Sequence, residues 1–155
     1  MTFAAKFLSA TAALALTAGA AFAADPAVIY DLGGKFDKSF NESSFGGAKR
    51  WADETGGTFG EFEISSDAQR EQAIRAFAEK GHNPIVMASF SWATPLETVA
   101  KDYPNTKFAI IDMVVDAPNV RSIVFNEHEG SYLVGMMAAM ASESAEFRRV
   151  LVTGG

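Results

Sequence analysis

Between Gly33 and Asn41 the chain reads Gly-Gly-Lys-Phe-Asp-Lys-Ser-Phe-Asn, an aromatic, a carboxylate and an amide gathered just ahead of a helical pattern. A glycine turn followed by a capped helix accounts for much of it. Ser39 and Glu42 have the spacing of a capping box, in which hydroxyl and carboxylate exchange hydrogen bonds with backbone donors of the first turn. Phe40 then falls on the inner face of the helix. Phe36 and Asn41 are left over, and their types suit non-covalent capture of a small solute.

Other chemistries find less support. Gly33-Gly34 fits neither the G-x-G-x-x-G fingerprint nor a P-loop, so a dinucleotide or nucleoside-triphosphate site is not indicated. A G-x-S-x-G nucleophile elbow is missing. His82 reads as an exposed loop residue and His128 as part of a helix's first turn. Their separation, with no cysteine in the chain, gives no metal-ligand spacing. Met136, Met137 and Met140 read as core filler. No cofactor is called for.

The elements that must position these residues alternate regularly. Apolar runs at Val28–Tyr30, Ile85–Ala88, Phe108–Ile111 and Val150–Val152 read as strands, with Ser122–Phe125 as a fifth member and Thr58–Ile64 as an edge. Between them lie helical patterns. The first puts Phe40, Ser44, Ala48 and Trp51 or Ala52 inward and closes at Gly56-Gly57. The second is capped by Ser66 and Gln69, buries Ile74, Phe77 and Ala78, and ends at Gly81. The third starts at Thr94 with Pro95 in its first position and stops at Pro104. The fourth opens at Asn126 and Glu129 and turns Leu133, Met136, Met137 and Met140 inward. Repeated strand–helix–strand units imply an α/β fold, an open parallel sheet with helices on both faces. Ligands in such sheets bind beyond the carboxyl ends of the strands. Here those ends are Asp31–Asn41, Ser89–Trp92, Asp112–Asp116 and Asn126.

The amino terminus addresses the chain for export. Lys6 precedes an apolar stretch from Phe7 to Ala20, and Ala21-Phe22-Ala23 offers the small-x-small site read by signal peptidase. Residues 1–23 are therefore expected to be a cleaved signal peptide and 24–155 a single α/β lobe. Without cysteine the product carries no disulfide and no lipid anchor, so a freely diffusing periplasmic protein is expected. The net charge of −6 argues against binding nucleic acid through phosphates.

Three stretches together carry a family likeness: Asp31 through Asn41, Lys107-Phe-Ala-Ile-Ile-Asp112, and Asn119 through Gly135. From about Val28 to Ala141 the chain resembles the basic membrane protein family, solute-binding receptors of ABC importers, several of which bind purine nucleosides. The resemblance implies the N-terminal lobe of a type I periplasmic-binding-protein fold, a nucleoside ligand, an ABC permease as partner and a mostly monomeric receptor. It further implies Phe36 stacking on a base, Asp37 and Asp112 accepting from ribose hydroxyls, Asn41 at a base edge, and Phe90 or Trp92 closing one side. Asp112 also reads as an ordinary strand-end turn residue. Family members are about twice this length and carry a second lobe, so the chain reads as a truncated half. Glu143–Arg149 departs from the family's small, glycine-containing turn. The alternatives are a secreted nucleoside-processing enzyme, with Asp37 and Asp112 as an acid/base pair, and a fragment without function.

Overall fold

The computed structural model describes residues 25–142. The expected signal peptide and the Val150–Val152 strand lie outside the described residues. Five strands form one parallel sheet: β1 (Ala27–Tyr30), β2 (Gly60–Glu63), β3 (Ile85–Ala88), β4 (Phe108–Ile111) and β5 (Val120–Ile123). Their spatial order is β2-β1-β3-β4-β5. The order reverses between β1 and β3, which makes that boundary the switch point where open α/β sheets bind ligands.

Four helices connect or follow the strands: α1 (Phe40–Thr55), α2 (Arg70–Glu79), α3 (Ala93–Val99) and α4 (Glu127–Ala141). Strand side chains alternate between faces. Ala27, Ile29, Ile85, Met87, Phe108 and Ile110 point to one face, where Ile74, Phe77, Leu96 and Val99 of α2 and α3 complete a closed core. Val28 and Val86 point to the other, beside Ala48 and Trp51 of α1, and there a groove of about 410 Å³ stays open. Helices thus lie on both faces, as the alternation implies.

Local details correct several sequence expectations. The fifth strand is Val120–Ile123, two residues earlier than the Val124-Phe125 run suggests, because Phe108–Ile111 sets its register residue for residue. Pro95 is the third residue of α3, since the turn Phe90–Trp92 leads into that helix. Phe40 is 41% exposed rather than a core residue. His82 is half-buried, its ring 4.9 Å from that of Phe77. Leu133, Met136, Met137 and Met140 are all exposed, and no residue of α4 is buried. Tyr132, Leu133, Val134, Met136 and Met137 spread apolar surface around that helix, so no single stripe selects a face.

Candidate functional site

The site begins with the loop from β1 to α1, which is fixed by its own polar side chains. Asp37, not Ser39, caps α1. Its Oδ1 accepts the N–H groups of Ser39 at 2.8 Å and Glu42 at 3.2 Å, and its Oδ2 accepts that of Asn41 at 3.2 Å. The Ser39 hydroxyl makes no capping bond. Glu42 instead accepts the N–H of Lys38 at 3.0 Å. Lys38 adopts φ 57°, a left-handed turn that swings the Asp37 carboxylate over the helix end. Desolvation pushes the Asp37 carboxyl up, but the hydrogen bonds from Ser39, Glu42 and Asn41 outweigh it and hold the carboxyl below its ordinary value.

Asn41 faces inward and is 1% exposed. Its Oδ1 accepts the Asp31 N–H at 2.9 Å, and its Nδ2 donates to the Asp31 and Gly34 carbonyls at 3.1 Å. The amide expected at a base edge is therefore occupied in closing the loop. Phe36 stands at the loop's tip, 67% exposed, with one edge on Phe45 at a centroid distance of 5.6 Å. Lys35 ties this loop to the edge strand. Its Nζ lies 2.8 Å from Glu61 and 4.2 Å from the Phe45 ring centre.

The second loop follows β3. Phe90 is 60% exposed, whereas Trp92 is fully buried and belongs to the core. Of the two aromatics read as a possible wall, only Phe90 is available. The third loop follows β4. There Asp112 sits at φ 72°, its carboxyl raised by desolvation and by hydrogen bonding and charge repulsion from Glu127. Beside it a cavity of about 580 Å³ opens between Ser39, Phe40 and Ser43 on one side and Ile111, Phe125 and Glu127 on the other.

Backbone strain marks the same edge. Among the described residues three non-glycine residues have positive φ: Lys38, Ser89 at 118° and Asp112. They lie in the loops beyond β1, β3 and β4. Such conformations cost of order 1–3 kcal/mol each and collect at binding sites. Arg70, 5% exposed and marked by no local motif, pairs with Asp31 and Asp67 behind the loops.

The fold is that of ABC-transporter solute-binding proteins. A crystal structure of such a protein from Aeropyrum pernix K1 superimposes with a TM-score of 0.70 at 38% identity, over 74% of this chain and 32% of that one. The description "ABC transporter substrate-binding protein PnrA-like" matches residues 25–153, and the chain belongs to this family, the Bmp family. Relatives include an uncharacterized lipoprotein of Pyrococcus furiosus, 37% identical over 73% of this chain and 29% of its own length. The ABC transporter nucleoside-binding protein BmpA of Lactococcus lactis is 30% identical over 76% of this chain and 35% of its own length. The chain thus spans about a third of the length of these curated relatives.

Proposed function

We propose that this chain forms one wall of a purine-nucleoside site in the solute-binding component of an ABC importer. The observation that carries this reading is the placement of Phe36 and Phe90. Both are large aromatics left in solvent, on loops that follow neighbouring strands at the switch point. A flat base would cover them, and base–aromatic stacking contributes about 1–3 kcal/mol per base. Asp112 and the remaining acceptor capacity of Asp37 suit ribose hydroxyls. The nucleoside-binding name of the Lactococcus relative points the same way. A second α/β lobe, for which the greater length of the relatives leaves room, would close the other side. An ABC permease is then the partner. Titration with inosine, adenosine and guanosine tests the reading, with ribose and glutamine as controls. Binding of a control in preference to every nucleoside would refute it.

A second reading is an enzyme with Asp37 and Asp112 as acid and base, favoured by the cavity that Ser39 and Phe40 line on one side and Ile111 and Glu127 on the other, next to the loops that carry them. Incubation with inosine decides between them. A receptor returns the nucleoside intact, whereas a hydrolase releases free base.

Export is part of the same proposal. Cleavage after Ala23 would give a product beginning at Ala24, without lipid, since the 155 residues contain no cysteine. The Pyrococcus relatives, by contrast, carry the name lipoprotein. Mass spectrometry of the secreted material checks this, and an intact Met1 or an added lipid mass would contradict it.

A further inference from the structure

Arg70 opens α2, a helix that contributes no residue to the proposed nucleoside contacts, yet it is a buried cation paired with two carboxylates behind them. Its side chain is 6% exposed. Nε and Nη2 donate to Asp67 Oδ1 at 3.1 and 2.8 Å, and Nη2 also donates to Asp31 Oδ1. The guanidinium carbon lies 4.7 Å from the Trp92 ring centre, within cation–π range. Asp31 extends the network. Desolvation pushes its carboxyl up, but hydrogen bonds from Ser89, Arg70 and the Leu32 N–H, together with the Arg70 charge, hold it below its ordinary value.

Two chains of contact therefore leave Arg70 and end within two residues of the two exposed aromatics. One runs through Asp31 to Asn41, which also holds the Gly34 carbonyl two residues before Phe36. The other runs through Trp92, two residues after Phe90 in the same short turn. Ser89 is held at φ 118°, a conformation that persists only where its surroundings impose it. An ammonium group could keep the charge next to Asp31. It could not fork to two carboxylates and stack on an indole at once.

We infer that Arg70 is a positioning residue, which sets the Phe36 and Phe90 loops relative to each other from behind the sheet edge. The inference rests on the nucleoside-site reading for its functional meaning, but its geometric content can be read without a ligand. The experiment places 4-fluorophenylalanine singly at positions 36, 90 and 108 of the full chain and records fluorine NMR spectra. Phe108, 1% exposed in the core, is the control. Spectra are compared between the parent, Arg70→Met and Arg70→Lys, the last retaining the charge should the methionine variant fail to fold.

The expected result is that Arg70→Lys shifts or splits the signals at 36 and 90 together while 108 is unchanged. Unaltered signals at 36 and 90 would overturn the inference, as would equal disturbance of all three, which marks a general packing role. With inosine added, Arg70→Lys should lose about tenfold in affinity, the low end of what outer-shell partners cost a metal site. If the parent binds no nucleoside, the functional reading fails, while the fluorine spectra still decide whether Arg70 positions the loops.

Discussion

Asn41 and Asp31 clasp each other through both backbone groups of the aspartate: Asn41 Oδ1 accepts the Asp31 N–H at 2.9 Å, and Nδ2 donates to the Asp31 carbonyl at 3.1 Å. This side chain, the first turn of α1, thereby fastens the end of β1 to the helix it precedes. The third bond, to the Gly34 carbonyl, folds the intervening loop back on itself.

Asn41→Ala should therefore act on stability first. It removes three hydrogen bonds from backbone groups near a fully buried side chain. Leaving a buried polar group unpaired costs about 1–3 kcal/mol, so a loss of roughly 2–4 kcal/mol is expected in urea denaturation. Unchanged stability would show that the clasp is not holding the loop.

Phe36→Ala should do the opposite. The ring is 67% exposed and touches Phe45 by one edge, so stability should change by less than about 0.5 kcal/mol. Inosine binding should weaken by about 1–3 kcal/mol. A variant that melts much lower with affinity intact would make Phe36 a packing residue.

Two aspartates give opposite pH dependences. The Asp112 carboxyl is raised in the fold, so the folded state holds its proton more tightly than the unfolded chain does. Its contribution to stability is present at low pH and is lost as pH rises from the ordinary carboxylate value through the folded one. The Asp31 carboxyl is lowered. Its contribution is present above the ordinary value and is lost as pH falls through the folded one. Asp112→Asn should raise the denaturation midpoint on the neutral side, and Asp31→Asn should lower it there. Midpoints measured from about pH 3 to pH 7 check both signs. A gain from Asp31→Asn at neutral pH would contradict the Arg70 pairing.

The sheet was legible because its central strands are apolar without alternation. Ile85–Ala88 and Phe108–Ile111 lie where the sequence places them, flanked by other strands on both sides. The edge was harder. In β5 Arg121 and Ile123 are exposed, and the apolar Val124-Phe125 pair just beyond it draws the reading late. The cap is hidden in the sequence because Ser39 and Glu42 have capping-box spacing, while the left-handed turn at Lys38 is what brings Asp37 into range. Trp92 was a candidate wall by its place after β3, yet the turn Phe90–Trp92 sends it into the core and leaves Phe90 outside. Arg70 could not be found by spacing. Its partner Asp31 is 39 residues away and is met only because α2, which follows β2, packs back beside β1.

The most direct measurement is a nitrogen–proton NMR titration of the 155-residue chain with inosine. If a closed site near micromolar affinity has about −8 kcal/mol to share, one wall alone should bind at roughly millimolar, within reach of this method. Shifts confined to Gly33–Asn41, Ser89–Ser91 and Asp112–Met113 are the predicted result. Saturable shifts centred instead on the groove beside Val28, Val86 and Trp51, or no shifts while ribose or glutamine produces them, would contradict it.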